Sequence, residues 1–387
     1  MKIAVFTETY KPQKNGVVVF LSDFLPVISR NHEVVLFAPG GKNLKVEKIN
    51  KNFKIYWVPA DEFPFYEGYK ICKITHSGIK RLLDKEKPDV IHMHAPVLMG
   101  LKTLYVAKKM KLPMVATYHT HFPDYVPHLF KGMLPEPLTD FTKEPVKKMI
   151  SYCFSRVDVT TAPTDELRKE LESYGVPNVT HIPNGILFKK FKGADKRKFM
   201  EEYEIPPNKP VVLYVGRISF EKKVDCLLRA FTRIPNATLV IVGTGPSFEK
   251  YKELAGQLKL KNVIFTGFVK DELLPSAYSS ADIFVSASDT ETFGLTFVEA
   301  MNFGVPVIGV NRLGAKEVIQ DGRNGFLVEP DNESQLASAI SKLLKNPPLR
   351  RKLGAQGKKD AKKYDMNEVS KEFIEIYKDL IKEKTKR

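Results

Sequence analysis

Asp289-Thr-Glu291-Thr-Phe-Gly294-Leu-Thr-Phe-Val-Glu299-Ala-Met-Asn-Phe-Gly304 lies between two strand-like runs, residues 281–286 and 305–310. Its polar start and glycine stop describe a loop that opens into a short helix ending at Gly304. A helix start leaves backbone N–H groups unpaired, here from Gly294 to Thr296, and these suit an anion such as a phosphate. Two carboxylates bracket that end, Glu291 before it and Glu299 within the helix. A carboxylate beside a phosphate site needs hydroxyl donors, as a sugar or a ribose diol provides. The alternative is a solvated Glu291 and a Glu299 that merely favours helix, and this window alone leaves both open.

Outward from that stretch, βαβ rhythm fills the chain. Strand-like runs at 3–6, 33–37, 90–93, 114–117, 157–161 and 179–183 alternate with helical patterns at 17–29, 77–85, 101–110 and 146–155. Residues 186–210 turn to Lys, Phe and Pro without alternation and read as an interdomain linker. The pattern restarts with strands at 211–215, 237–242, 263–266, 283–286 and 305–310 and helices at 224–232 and 247–258. This predicts an α/β protein with two doubly wound parallel sheets and ligand loops at the carboxyl ends of strands. In the first domain those loops are 7–16, 92–100 and 118–125, followed by an irregular Pro-rich section at 122–145. The expected domains are 1–190 and 191–367, with the last helical pattern, about 368–387, packing back on the first.

Size and composition agree: 387 residues exceed one ordinary core, and 43% apolar with 27% charged residues describes a folded soluble chain. The net charge of +16 is spread over both halves, +9 in residues 1–190 and +7 in the rest. No basic stripe with interleaved aromatics occurs, which excludes nucleic acid as a partner. The diffuse positive field suits an anionic membrane surface or a phosphorylated substrate. Cys72, Cys153 and Cys226 are widely spaced and odd in number, so reduced thiols in an intracellular protein are expected. The first residues run straight into a strand without a signal peptide pattern. The apolar run 17–28 is broken by Ser22, Asp23 and Pro26 and is too short for a bilayer. The expected location is cytoplasmic, with any membrane association peripheral.

The first loop has one glycine, Gly16, where a dinucleotide fingerprint needs three, and Gly243-Thr-Gly245-Pro246 lacks the third. A nicotinamide enzyme is excluded. Gly16 opens a helix and is either a turn glycine or a close approach to a phosphate. Gly216-Arg217-Ile-Ser-Phe-Glu221-Lys222-Lys223 leaves the first strand of the second domain. A guanidinium fork and an ammonium there could neutralise a departing diphosphate, unless both are simply solvated. His92, His94, His119 and His121 sit at adjacent strand ends, but i, i+2 pairs without a Cys or carboxylate ligand argue against zinc, and no metal site is assigned. His119 is expected to face the cleft as a hydrogen-bond or charge partner, supported by His94.

Together these segments resemble family 4 (GT4) retaining glycosyltransferases, whose GT-B fold has two facing Rossmann-like doubly wound domains and an interdomain cleft. The resemblance covers nearly the whole chain. It rests on the E-x7-E pattern Glu291…Glu299, Gly216-Arg217…Glu221-Lys222, Ile182-Pro-Asn184-Gly185-Ile186, Val242-Gly-Thr-Gly245-Pro and Gly314-Ala-Lys-Glu317…Gly322-Arg-Asn-Gly325. It implies that Arg217 and Lys222 bind and stabilise the donor's diphosphate, that Glu299 accepts the ribose hydroxyls, and that Glu291 contacts the transferred sugar. The backbone of Phe293, Gly294, Leu295 and Thr296 would hold sugar and β-phosphate, and Gly245 belongs to the same donor site. His119 would sit near the reacting face and Gly16 near the diphosphate. The resemblance also implies a nucleotide-diphosphate sugar, UDP- or GDP-linked, as donor, with no metal or other cofactor. The segments 7–17 and 117–125 are most similar to the branch that glycosylates diacylglycerol and related lipids. A lipid acceptor at the inner membrane face is therefore expected, reached through the basic helix near 79–85 and Lys147-Lys148. A soluble sugar or sugar-phosphate acceptor, or a nucleotide-sugar epimerase, are the alternatives. Two departures stand out: Lys223 where the family usually has glycine, and Leu313-Gly314 in place of Gly-Gly.

Overall fold

The computed structural model describes residues 1–13, 15–62, 70–94, 98–119, 121 and 143–386. Most of the Pro-rich section 122–145, and parts of the loops 92–100 and 118–125, lie outside the described residues. The chain forms two compact units, Met1–Gly185 with Met366–Arg387, and Ile186–Asp365.

In the first unit the strands are β1 (Lys2–Thr7), β2 (Glu33–Pro39), β3 (Lys45–Lys48), β4 (Phe53–Val58), β5 (Ala60–Glu62), β6 (Lys70–Cys72), β7 (Val90–His94), β8 (Met114–Thr117), β9 (Val159–Ala162) and β10 (Val179–His181). Eight of them make one sheet in the order β10-β9-β8-β7-β1-β2-β4-β3, and β5 and β6 pair separately. The main sheet is parallel except for β3, which runs antiparallel to β4 at the edge. Helices α1 (Gly16–Ile28), α2 (His76–Glu86), α3 (Leu98–Lys109), α4 (Lys143–Phe154) and α5 (Asp165–Ser173) cross over between strands. The sequence dictates α1 plainly: the Asn15 side chain accepts the Val18 N–H at 3.0 Å, and Val17, Phe20, Leu21, Phe24, Leu25 and Ile28 form its buried stripe.

The second unit has six parallel strands, β11 (Val211–Val215), β12 (Thr238–Val242), β13 (Val263–Gly267), β14 (Ile283–Val285), β15 (Val307–Val310) and β16 (Gly325–Val328), in the order β13-β12-β11-β14-β15-β16. Its helices are α6 (Lys196–Glu202), α7 (Val224–Phe231), α8 (Phe248–Gln257), α9 (Leu274–Ser280), α10 (Leu295–Asn302), α11 (Leu313–Val318), α12 (Glu333–Lys345) and α13 (Pro347–Asp360). Alternate strand residues serve opposite faces. Val212, Tyr214, Leu239 and Ile241 pack in one core layer, and Val211, Leu213, Val240 and Val242 in the other. In both sheets the chain reverses its direction of travel beside the first strand, between β1 and β7 and between β11 and β14. In open α/β sheets, loops at such a reversal carry the ligand.

The stretch 186–210 is not the linker expected from its composition. It holds a short 3-10 turn, Phe188–Phe191, and α6, and it buries Ile186, Phe191, Phe199 and Ile205 in the core of the second unit. Its aromatic side chains fall at single turns rather than along a helical or strand stripe, so no periodicity marks them. The chain then returns in α14 (Met366–Thr385), which lies on the first unit. Val369, Phe373, Tyr377 and Leu380 form its buried stripe. The Phe373 ring lies 5.1 Å from Phe24 and 5.9 Å from Phe20, both edge-on. All three cysteines are free and buried, and burial pushes the Cys72 thiol up to about 12.

Candidate active site

In the second unit, the loop after β11 is zipped to the loop after β12. Gly216 N–H donates to the Val242 carbonyl at 3.0 Å, and Ile218 N–H to the Thr244 carbonyl at 2.9 Å. This contact explains the two glycines of Gly243-Thr-Gly245: a Cβ on Gly243 would stand 1.9 Å from the Gly216 oxygen, and one on Gly245 2.3 Å from the Ile218 oxygen. Gly243 also has φ +134°, closed to most side chains. Gly243→Ala is therefore expected to lower the stability of this unit by about 2–4 kcal/mol. Urea titration of the variant checks this; a midpoint within error of the parent would refute the close packing.

Arg217 lies exposed on that loop, and its carbonyl accepts the buried Tyr214 hydroxyl at 3.0 Å. One 3-10 turn, Phe220–Lys222, then presents Lys222 to the loop after β14. Lys222 Nζ lies 2.7 Å from Glu291 Oε1, with both side chains about one-fifth exposed. Beside this pair, Lys223 Nζ reaches Asp289 Oδ2 at 2.6 Å and Asp331 at 2.8 Å. The Glu221 carbonyl accepts from the hydroxyls of Ser288 and Thr290. The two loops at the sheet's reversal point are thus bound to each other by charge and by backbone.

Gly294 caps α10 in the left-handed region, φ +78°, and a Cβ there would meet the Phe297 ring at 2.6 Å. The Phe293 side chain is buried edge-on against Tyr364, so only its backbone is presented to a ligand. Gly314 N–H donates to the Glu291 carbonyl at 2.7 Å, and a Cβ on Gly314 would lie 2.3 Å from the Phe293 carbonyl carbon. Glu299 is nearly buried, and its Oε2 accepts the Tyr278 hydroxyl at 2.5 Å. Burial, and then the charge of Glu299, hold the Tyr278 proton on well above its ordinary range, so this hydroxyl is always the donor. The two departures from the family pattern fall on strained backbone: Lys223 has φ +49° and Leu313 +45°. Glycine suits such positions without strain. Here Lys223 offsets its strain through Asp289 and Asp331, and Leu313 through burial.

In the first unit the expected histidines divide. His94 Nδ1 and His119 Nε2 are 2.8 Å apart in stacked rings. His92 bonds Tyr377 Oη at 2.5 Å and Thr117 Oγ1 at 2.7 Å, and His121 bonds Glu170 at 2.8 Å. Burial pushes His119 down to about 3, and burial with neighbouring rings holds His92 and His94 well below their ordinary value. His119 is therefore neutral. It can act as a hydrogen-bond partner but not as the charge partner that was the other expectation. Gly16 is exposed at the start of α1, with open space where a Cβ would stand.

Sequence reasoning overlooked Glu8. It follows β1 at the reversal point, is only 3% exposed, and its Oε1 accepts the N–H groups of Met99 at 2.5 Å and Gly100 at 3.1 Å in the first turn of α3. Burial raises its pKa to about 7, against the pull of those N–H donors and Lys102. An acidic residue between a strand end and the only glycine of its loop was the available signal. Between the unfolded value near 4.5 and about 7, the folded state binds the extra proton, so stability falls as pH rises through that window. The loss comes to about 3 kcal/mol. Glu8→Gln is expected to remove this slope. Equal pH dependence in parent and variant, read by urea unfolding from pH 4.5 to 8, would refute it.

Two family models divide the chain: "Glycosyltransferase Family 4" matches residues 14–187 and "Glycosyl transferases group 1" residues 195–360. The alpha-monoglucosyldiacylglycerol synthase of Streptococcus pneumoniae is 30% identical over 89% of this chain and 78% of its own. The GDP-mannose-dependent alpha-mannosyltransferase of Corynebacterium glutamicum is 26% identical over 98% and 89%. Anabaena Alr3699/HepE, crystallised in complex with UDP-glucose, superposes with a TM-score of 0.76 over 98% of this chain and all of its own, at 17% identity. Two doubly wound units of this kind are those of the GT-B fold. The chain belongs to the family 4 glycosyltransferases and is a hexosyltransferase.

Proposed function

We propose that this enzyme moves a hexose, with retention of configuration, from a nucleotide-diphosphate sugar to a lipid acceptor of the diacylglycerol type at the inner face of the cell membrane. The observation that carries the donor half is the Lys222–Glu291 pair beside the Gly294 helix start. It supplies one cation for a diphosphate, one carboxylate for sugar hydroxyls, and open N–H groups at Leu295 and Thr296 for phosphate oxygens. Arg217 adds a second cation, and Glu299 takes the ribose hydroxyls. In the reaction, the bond from the sugar's anomeric carbon to the β-phosphate oxygen breaks while the acceptor oxygen attacks from the same face. The acceptor's proton passes to the leaving diphosphate. Two cations do the work a metal ion would otherwise do, so no metal is required.

The acceptor half rests on the synthase likeness, which is balanced by the mannosyltransferase likeness. Purified protein, labelled UDP- and GDP-sugars and a total lipid extract provide the test. Nucleoside diphosphate release that requires the lipid fraction is expected. Release driven equally well by soluble sugars would overturn the lipid acceptor, and release of no diphosphate would overturn transfer itself.

The helices expected to meet the membrane contribute less than their sequences promised. In α2, Ile79, Leu82 and Leu83 face the core and Lys80 pairs with Asp84 at 2.6 Å. In α4, Ile150, Cys153 and Phe154 are buried and Lys147 pairs with Glu144 at 2.7 Å. Among the described residues no helix is long and apolar enough to cross a membrane.

A further inference from the structure

Among the described residues, the most exposed large aliphatic side chains of the first unit cluster on and beside its edge strand. Leu44, Val46 and Ile49, just before, within and just after β3, are 48%, 49% and 46% exposed. Leu44 and Val46 alternate with Lys45 and Glu47 and so share one face of the strand. Four exposed lysines, Lys42, Lys45, Lys48 and Lys51, interleave with them. The only acid of the segment, Glu47, accepts the Trp57 indole N–H at 2.7 Å. Three aliphatic side chains among four ammonium groups are poorly explained as an ordinary solvated strand. A solvated edge needs the lysines but not the aliphatics.

We infer that this edge segment, residues 42–51, is the membrane-docking surface of the enzyme, laying Leu44, Val46 and Ile49 among the headgroups of an anionic lipid surface. Charge decides between occupants. A second copy paired along this edge would set lysine ladders against each other, which is how natural edge strands avoid pairing. Anionic lipid neutralises the lysines while its acyl boundary receives the aliphatics.

Position supports the same occupant. Because β3 runs antiparallel, its first residue, Lys45, lies opposite Trp57, at the carboxyl end of β4. The Trp57 ring lies 5.9 Å from the ring of Tyr10, in the loop after β1 that also carries Glu8 and Gly16. The Leu44–Val46 end of the docking segment therefore adjoins the ligand-bearing end of the sheet, while Ile49, bonded to Phe53, lies at the other end of the strand. A membrane lying along the strand reaches the loop after β1 through Leu44 and Val46. The inference rests on the lipid-acceptor reading and specifies how that acceptor is reached.

The test compares the parent with Leu44→Ser/Val46→Thr/Ile49→Ser and with Lys42→Gln/Lys45→Gln/Lys48→Gln/Lys51→Gln. Co-sedimentation uses phosphatidylcholine vesicles with and without phosphatidylglycerol. The parent is expected to bind only the anionic vesicles, the aliphatic variant about tenfold and the lysine variant about a thousandfold less tightly. All seven positions are exposed, so thermal melting curves should coincide. As a second readout, an environment-sensitive fluorophore on Val46→Cys should shift to the blue on anionic vesicles. Parent-like sedimentation of the aliphatic variant, or a parent that binds no vesicle, overturns the inference. So does a parent dimer that the variants lose while vesicle binding is unchanged. Transfer to a short-chain diacylglycerol in detergent micelles separates the two ideas: its retention in all three proteins preserves the lipid acceptor whatever the vesicles show, and its absence in all three removes it.

Discussion

Lys222→Ala is expected to lower kcat about a hundredfold or more, with a smaller change in KM for the donor. An ammonium aimed at charge that builds on a leaving diphosphate contributes about 2.7–4 kcal/mol to the transition state and less to the ground state. The structure sharpens the expectation, because Lys222 Nζ lies 2.7 Å from Glu291 Oε1. Removing the lysine also leaves that carboxylate without its ion-pair partner beside the start of α10. Glu291→Ala should cost less than Lys222→Ala, and the double variant less than the sum of the two, as residues in one contact behave. Arg217→Ala should fall in the same range as Lys222→Ala. Steady-state release of nucleoside diphosphate measures all of these. Near-parent kcat in both cation variants would remove the diphosphate assignment, and strict additivity would remove the coupling.

The other large effect is on acid stability. His92, His94 and His119 stay neutral in the folded state because burial excludes the charged form, whereas the unfolded chain takes up protons near its ordinary value of 6.5. Stability is therefore full above pH 6.5 and falls as pH drops below it, by about 1.4 kcal/mol per pH unit for each histidine. For His119, with a folded value of about 3, the whole window amounts to roughly 5 kcal/mol. Glu8 acts in the opposite direction between 4.5 and 7 and cancels about one of the three proton equivalents. Against typical stabilities of about 5–15 kcal/mol, the direction of these shifts makes the first unit the acid-sensitive one. Urea unfolding followed from pH 7 down to 4 should show this. His119→Gln should flatten the slope by about one proton, and an unchanged slope would show that the ring is protonated in the fold.

The sequence made the sheets and the polar loops at their carboxyl ends legible for a physical reason. Buried parallel strands are apolar runs, and loops at their carboxyl ends carry the polar exceptions, so Arg217, Lys222, Glu291 and Glu299 stand out against Val211–Val215 and Ile283–Val285. Partnership was less readable. That Lys222 faces Glu291 across 69 residues depends on β11 and β14 being neighbours, and that Tyr278 holds Glu299 depends on the helices before and after β14 sharing one layer, which no local pattern states. Strain was legible only in hindsight: Lys223 and Leu313 looked like departures in residue type and prove to be side chains forced into left-handed backbone. Residues 186–210 misled because Phe191 sits in a single 3-10 turn and Phe199 is the one buried residue of the seven-residue α6, where burial leaves no period. The edge strand β3 escaped notice because it is short and solvated on every residue.

The course of α14 has one further consequence, which concerns the order in which the protein is made. The hydrophobic cover over Phe20, Phe24 and His92 is supplied by Phe373 and Tyr377. These emerge from the ribosome only after the whole of 186–365, whose ends already meet where Ile186 N–H bonds the Tyr364 carbonyl at 2.8 Å. The second unit is complete in the chain at residue 365, while the first, although begun earlier, lacks its cover until residues 366–385 follow. The usual amino-to-carboxyl order in which domains are completed is inverted. Released chains truncated at residue 365 would hold every residue of the second unit and a first unit whose apolar face lies open.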